Sequence, residues 1–146
     1  EGPNYDARLT VYCLHRLMTS VGIAEQILNL GTLGYRAPEL ANATKPMPSF
    51  KADVYALGVI LTELLTRRSA GDIIFGELGA VDLTDWLRLC DQEGRGMDCI
   101  DRDIAGGEEH SKAMNDLLAI SLRCILPVNE RPNIRQVCGD LCSIDL

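Results

Sequence analysis

The sequence predicts a mainly α-helical domain with a long irregular segment near its start. Residues 51–67 are the most apolar stretch, and their apolar side chains fall on nearly every face of a helix. Residues 111–126 and 132–143 also carry apolar side chains at helical spacing. Glycine and proline, in contrast, interrupt residues 31–48. Together these patterns predict a helical core with a rigid loop in front of it.

The composition is that of a single acidic globular domain. Its 146 residues, 47% of them apolar, suffice for one hydrophobic core. The net charge of -7 argues against a nucleic-acid surface, since no basic stripe is present to displace counterions from phosphates. We expect no leader peptide, because the first residues are polar. We also expect no direct membrane contact, because Glu63 and the Arg67-Arg68 pair end the longest apolar run well short of about 20 residues.

The cysteine pattern predicts free thiols and no metal site. The cysteines form no C-x-x-C pair, and His15 and His110 are the only histidines. Several of the cysteines fall inside helical patterns, where they act as small apolar residues. We therefore expect free, mostly buried thiols in a reducing compartment. The cysteines are Cys13, Cys90, Cys99, Cys124, Cys138 and Cys142.

Local signals before the central helix are weak. Residues 7–14 alternate loosely and are β-prone at Val11 and Tyr12, which predicts a short strand. Residues 15–30 are interpreted as a loop with one helical turn. Pro38 disfavours a helix at the residue before it.

The helices begin at residues whose side chains can accept hydrogen bonds from helix amides. Ser49 is predicted to cap the central helix at 51–67, and Asp82 to cap a helix at 82–91. Ser111 is predicted to cap the next helical segment.

Two connecting stretches carry no helical pattern. Residues 71–79 are predicted to be a loop, and residues 93–109 are polar and glycine-rich. Ile100 and Ile104 are the expected apolar anchors of the second stretch.

Two further residues have positional meaning within helices. Gly58 costs about 1 kcal/mol against alanine in the middle of a helix, so we expect it to permit a close backbone contact. Pro132 suits the first turn of the last helix. The apolar face of that helix is predicted to comprise Ile134, Val137, Cys138, Leu141 and Cys142.

Four motifs occur in order along the chain: GTLGYRAPE at 31–39, KADVYALGV at 51–59, VDLTDW at 81–86 and CILPVNERPNIRQV at 124–137. Together they resemble the C-terminal (large) lobe of a eukaryotic protein kinase, and more narrowly the plant leucine-rich-repeat receptor-like kinases. GTLGYRAPE at 31–39 resembles the substrate-facing loop and A-P-E end of the activation segment. KADVYALGV at 51–59 resembles the start of the central helix, and VDLTDW at 81–86 the helix after it. CILPVNERPNIRQV at 124–137 resembles the penultimate turn of the domain. The resemblance implies a partial kinase-like domain over residues 1–146, with its activation segment at about 11–39.

The resemblance implies roles for individual residues. Glu39 would pair with Arg131 in a charge-assisted bond that fixes the end of the loop. Asp53 matches the central-helix acid that receives backbone amides of the catalytic loop, and Gly58 lies in the same helix. Ile60 and Leu64 match positions beneath the nucleotide-side hydrophobic stack, or are core residues. The substrate-loop residues are Gly31, Thr32, Gly34, Tyr35, Ala37, Pro38 and Glu39.

The sequence departs from the active family at its metal-binding motif. Val11, Tyr12 and Cys13 stand where active kinases have D-F-G, whose aspartate binds the magnesium that bridges the ATP phosphates. Valine offers no oxygen to a hard cation. No stretch resembles the glycine-rich loop, the β3 lysine or the H-R-D catalytic loop. Active relatives use ATP and magnesium, whereas this chain alone is expected to have no cofactor, no metal and no catalytic residue.

Three functional hypotheses follow. The first is part of a receptor-like pseudokinase that signals by binding other signalling proteins or kinases, on the cytoplasmic side of a membrane. The second is a piece of a serine/threonine kinase that transfers the γ-phosphate of ATP to protein hydroxyls when the domain is complete. The third is an unrelated all-α interaction module. Thr19, Ser20 and Thr32 are candidate phosphorylation sites. The chain alone is expected to self-associate, because a helix that normally covers the central one has no counterpart in it.

Overall fold

The computed structural model describes residues 34–41, 43–44, 49–76, 79–105 and 108–144. The expected strand at 7–14 and the loop at 15–30 lie outside these residues. Six α-helices, one 3₁₀ helix and two strands are present in the described part. They are α1 (Pro38–Ala41), α2 (Phe50–Thr66), β1 (Ile74–Gly76), β2 (Gly79–Val81), α3 (Leu83–Gln92), the 3₁₀ helix (Gly96–Cys99), α4 (Arg102–Ala105), α5 (Glu108–Cys124) and α6 (Ile134–Cys142). The described fold is therefore mainly α-helical, as predicted.

The central helix α2 has well-formed caps at both ends. The Ser49 side chain accepts a hydrogen bond from the backbone N–H of Ala52 at 3.1 Å. At the other end Arg67 adopts a left-handed conformation, with φ of 53°, and its N–H bonds to the carbonyl oxygen of Glu63. A left-handed residue at this position closes the last turn of a helix.

Helix α2 packs closely against α5 at Gly58. A β-carbon added at Gly58 would lie 2.6 Å from the Cys124 β-carbon and 2.9 Å from Ile125 Cγ2. Thr62 and Ser121, both fully buried, share a hydrogen bond of 2.7 Å, and Ser121 donates to the Gly58 carbonyl oxygen at 3.1 Å. The close contact expected at Gly58 is therefore present, and two hydroxyls fix the register of the helices.

The loop predicted at 71–79 is wrong in part, because a β-hairpin begins there. Strands β1 and β2 are antiparallel, with Ile74 opposite Val81 and Gly76 opposite Gly79. Ile74 is buried while Phe75 is 83% exposed, which is the alternation of a strand. Only three residues lie in each strand, so the pattern was too short to outweigh the glycines around it.

Two predicted helix starts are also wrong. Helix α5 begins at Glu108, so Ser111 lies inside it and does not cap it. Helix α6 begins after Pro132, and its cap is Asn133, whose side chain accepts the Gln136 N–H while the Gln136 side chain accepts the Asn133 N–H. This reciprocal arrangement is a capping box, which satisfies two amides at once.

The predicted apolar face of α6 is only partly buried. Val137 is 1% exposed and Leu141 is half-buried, but Ile134 is 47% exposed. Cys138 and Cys142 are exposed as well. The helix therefore packs through its middle.

Of the two expected anchors at 93–109, Ile100 is buried and Ile104 is half-buried. Ile100 directly follows the 3₁₀ helix, and Ile104 lies within α4. The polar, glycine-rich composition of this stretch did not predict these two short helices.

The five described cysteines are free, and three of them are buried. Burial raises the pKa of Cys99 to about 12, with the Cys90 thiol adding to the effect. Burial likewise raises the pKa of Cys124 to about 11. In the described part of the chain, no helix is long and apolar enough to cross a bilayer.

Candidate functional site

The loop that ends in α1 is joined to the rest of the fold by an ion pair between Glu39 and Arg131. Arg131 Nη1 donates to Glu39 Oε1 at 2.7 Å, and Arg131 Nη2 donates to Glu39 Oε2 at 3.1 Å. The two parallel bonds match the fork of a guanidinium to the two oxygens of a carboxylate. The contact implied by the sequence motifs is thus present.

Arg131 is held from several sides. Its side chain is fully buried, and it donates to the carbonyl oxygens of Lys51 at 2.7 Å and Leu126 at 3.0 Å. Its guanidinium carbon lies 5.0 Å from the centre of the Tyr55 ring. The Lys51 ammonium in turn donates to the Arg131 carbonyl oxygen. One buried arginine therefore links α1, the start of α2 and the turn before α6.

The pKa of Glu39 reflects this environment. Burial alone pushes the pKa up, but hydrogen bonds from Arg131 and from a backbone N–H, with the positive charge of Arg131, outweigh it. The pKa is therefore lower than that of an ordinary glutamate. The carboxylate stays ionised at neutral pH, as the pair requires.

The loop before α1 contacts α2 and the residues after it through Gly34 and Tyr35. Gly34 has φ of 87°, and a β-carbon there would lie 2.4 Å from the Ala70 carbonyl oxygen. The Tyr35 hydroxyl donates to the Glu63 carboxylate and lies 2.8 Å from each of its oxygens. The Ala70 N–H donates to Glu63 Oε1 at 2.7 Å. Glycine is thus required at position 34 for both conformation and space.

Glu63 is a site residue that the sequence reasoning missed. It joins Tyr35 to Ala70, and its hydrogen bond and charge, with burial, raise the pKa of Tyr35. Glu63 was noted only as a break in an apolar run. A lone acid inside the most apolar helix was the signal, because a charge in such a helix needs a partner.

The structure brings together part of the predicted site. The loop residues Gly34, Tyr35 and Ala37 lead into α1, which begins with Pro38 and Glu39, and Ala37 is buried just before that helix. Several predicted site residues lie outside the described part of the chain, and their roles stay predictions. They are Val11, Tyr12, Cys13, Thr19, Ser20, Gly31 and Thr32.

Three predicted residues of α2 lie on its exposed side. Asp53 is exposed in the first turn, and Ile60 and Leu64 are 38% and 64% exposed. Most other residues of α2 are buried or half-buried, which agrees with its predicted place in the helical core. Val54 and Val59 are fully buried on the opposite side.

The donor chemistry at residues 11–13 does not fit magnesium. The motif offers a hydrocarbon, a phenol and a thiol where a carboxylate is needed. Within the described residues, no group of three or more histidine, cysteine, aspartate or glutamate side chains is arranged to hold a metal ion.

A loop that ends in an acid, held by a distant arginine beside a central helix, defines this fold as part of the large lobe of a protein kinase. No protein-family model matches the sequence. The chain is 72% identical over 144 residues to a probable inactive receptor kinase of Arabidopsis thaliana, covering 99% of this chain and 14% of that protein. It is 55% identical over 148 residues to the leucine-rich-repeat receptor-like serine/threonine-protein kinase GHR1 of the same plant, again 99% of this chain and 14% of that protein.

Two solved structures are similar in fold. The kinase domain of maize SIRK1, a sucrose-induced receptor kinase bound to AMP-PNP, has a TM-score of 0.75 and 53% identity. That match covers 91% of this chain and 43% of the SIRK1 chain. The pseudokinase domain of BIR2, an immune regulator, has a TM-score of 0.62 and 31% identity over 76% of this chain and 32% of its own.

The chain therefore belongs to the plant receptor-like kinases and corresponds to part of their kinase domain. It spans about 14% of the length of the two Arabidopsis relatives. The predicted fold class and family are confirmed. The hypothesis of an unrelated all-α interaction module is wrong.

Proposed function

We propose that the domain containing this chain is a pseudokinase that signals by binding other proteins. The observation that carries the proposal is a contrast within one segment. Its Glu39 end is fixed by Arg131 through two hydrogen bonds. At its other end, Val11 replaces the residue type that binds magnesium.

Loss of the metal ligand is expected to abolish most phosphoryl transfer. Catalysis by kinases depends on positioning and on neutralising the charge that develops on the phosphates. The side chain of Val11 can neither position the phosphates nor help to neutralise their charge. The Glu39–Arg131 pair needs no metal, so residues 34–39, which we call the presenting loop, keep their place in a domain that no longer transfers phosphate.

The relatives support this proposal. One Arabidopsis relative, at 72% identity, is named as a probable inactive receptor kinase, and the pseudokinase domain of BIR2 has a similar fold. The SIRK1 kinase domain binds AMP-PNP, so nucleotide binding by the present domain is compatible with the proposal. Binding a nucleotide and transferring its phosphate are separate properties.

A serine/threonine kinase is the second candidate. GHR1 is named as such a kinase at 55% identity, and SIRK1 is a receptor kinase at 53%. In this case a metal ligand from elsewhere in the complete domain would replace the missing aspartate. Val11→Asp would then change activity little.

The parent is proposed to be a membrane-anchored receptor with this domain on the cytoplasmic side. The names of the relatives, which are receptor kinases, support this placement. Its partners are proposed to be other signalling proteins or kinases. Self-association of the isolated chain remains an expectation, supported by the exposure of Ile60 and Leu64.

The magnesium dependence of nucleotide binding tests the proposal. The complete domain is titrated with AMP-PNP by calorimetry, with and without magnesium. We expect its affinity to change less than about twofold on adding magnesium, and Val11→Asp to tighten binding at least about tenfold when magnesium is present. Val11→Leu is the matched control. A strong magnesium effect on the unaltered domain would favour the second candidate.

A further inference from the structure

A concave groove lies between the start of α2 and the start of α6. Its volume is about 420 Å³, and its lining residues are Phe50, Lys51, Asn133, Ile134 and Arg135. Clefts that hold ligands or peptide side chains have volumes of about 300–1,000 Å³. We call it the Phe50–Ile134 groove.

The groove exposes two large apolar side chains from different elements. Phe50 is 58% exposed and Ile134 is 47% exposed. Phe50 begins α2 and Ile134 begins α6, the helix that packs on the core through Val137. Apolar side chains grouped around a concavity are typical of recognition sites for other proteins.

The charge of the groove is opposite to that of the chain. The chain has a net charge of -7, yet the ionisable residues that line the groove are the bases Lys51 and Arg135. Arg135 lies in the first turn of α6, where the helix dipole is positive and a base is unfavourable. That turn contains no acidic residue. Two of the five lining residues are therefore cationic in a chain that is acidic overall, although Asp53 in the first turn of α2 is an exposed acid.

We propose that the Phe50–Ile134 groove binds a short segment of a partner protein in which acidic residues alternate with large apolar ones. The apolar side chains would contact Phe50 and Ile134, and the carboxylates would pair with Lys51 and Arg135. This proposal rests on the proposed function, since it names the chemistry of a partner that the pseudokinase binds. An anionic membrane fits less well, because the groove is concave and the net charge of the chain is repelled by anionic lipids.

The position of the groove connects it to the candidate site. The Lys51 ammonium donates to the Arg131 carbonyl oxygen, and Arg131 holds Glu39. A partner in the groove would thus lie next to the contact that fixes the end of the presenting loop. Lys51 is not a suitable residue to replace, because its loss would disturb the Arg131 contact as well as the groove.

The test uses the complete kinase-like domain and a short fluorescent peptide that alternates leucine with glutamate. Binding is measured by fluorescence anisotropy without nucleotide. We expect saturable binding that weakens at high salt, and at least about tenfold weaker binding for Phe50→Ser, for Ile134→Ser and for Arg135→Glu. Phe75→Ser and Arg102→Glu are matched controls, since both residues are exposed and distant in sequence, and each should change affinity less than about twofold.

Several results would overturn the proposal. One is that the unaltered domain does not bind the peptide although its circular dichroism spectrum shows that it is folded. A second is equal binding of a peptide with lysine in place of glutamate, and a third is an equal loss in the control variants. Binding to vesicles of anionic phospholipid that is lost in the same groove variants, with no peptide binding, would assign the groove to a membrane. A different result would contradict the proposed function, namely phosphate transfer by the unaltered domain.

Discussion

Arg131 and Glu39 lie 92 positions apart, and their side chains form a two-pronged ion pair with bonds of 2.7 and 3.1 Å. Arg131 is fully buried, while the Glu39 side chain is 26% exposed. Water is therefore excluded from the arginine but still reaches part of the glutamate. It is the contact by which the turn before α6 holds the end of the presenting loop.

Removing one member of this pair should be costly. We predict that Glu39→Ala in the complete domain lowers the free energy of unfolding by about 3 kcal/mol, because it leaves the buried guanidinium without its counter-charge. The measurement is urea denaturation followed by circular dichroism. Arg123→Ala is the matched control, since the Arg123–Asp140 pair is 47% and 37% exposed and should be worth about 0–1 kcal/mol. Equal losses in the two variants would contradict the importance of the buried pair.

The same pair should make stability depend on acid pH. The folded pKa of Glu39 is lowered, so the unfolded chain binds more protons as the pH falls. The stability that the pair contributes is therefore complete above the ordinary value of 4.5 and is lost as the pH falls through the lower, folded pKa. Denaturation at a series of pH values should show this loss, and Glu39→Gln should reduce the slope. An unchanged slope would assign the acid dependence to other carboxylates.

Gly58 and Gly139 should respond to alanine in opposite directions. A β-carbon at Gly58 would lie 2.6 Å from Cys124, so Gly58→Ala should destabilise by about 1–3 kcal/mol despite its better helix propensity. Gly139, inside α6, has nothing within 4 Å of the new carbon, so Gly139→Ala should stabilise by about 0.5–1 kcal/mol. Thermal melts of both variants give the comparison. Stabilisation by Gly58→Ala would show that α2 and α5 are not in contact there.

Thiol chemistry should separate the cysteines into two groups. Cys138 and Cys142 are exposed, whereas burial raises the pKa of Cys99 to about 12 and that of Cys124 to about 11. Iodoacetamide at pH 8 should modify the exposed pair at least about tenfold faster, since the thiolate is the nucleophile. Peptide mass spectrometry after timed quenching measures each site. Fast modification of Cys124 in the native domain would contradict the packing of α5.

The buried thiols should make stability depend on alkaline pH, and the sign is opposite: stability falls as the pH rises, whereas for Glu39 it falls as the pH drops. Between the ordinary thiol value of 9.0 and the raised folded values, the folded state retains protons that the unfolded state loses. The stability from the buried thiols is therefore present below pH 9.0 and lost as the pH rises toward 12.

Particular residues show what could be predicted from the sequence. The pairing of Glu39 with Arg131 was implied by the resemblance of two motifs to the kinase family, although no local pattern joins residues so far apart. The close contact at Gly58 followed from the cost of glycine in a helix. The β-hairpin at Ile74 was missed, because strands of three residues lack enough alternation to be seen beside glycines.

Other features depend on tertiary placement and could not be predicted from local patterns. Glu63 joins Tyr35 to Ala70, residues that are separated by the whole of α2. The exposure of Ile134 depends on how α6 is placed against the core, and the same holds for Phe50 across the groove. Periodicity places a residue on a helix face, but it does not tell how much of that face the rest of the chain covers.

The proposed pseudokinase keeps its presenting loop but does not transfer phosphate. Transfer of labelled γ-phosphate from ATP by the complete domain, with magnesium and a generic protein substrate, tests this directly. We expect incorporation at background, against turnover of about 1–100 per second for active kinases. Turnover in that range by the unaltered domain, with Val11 in place, would contradict it.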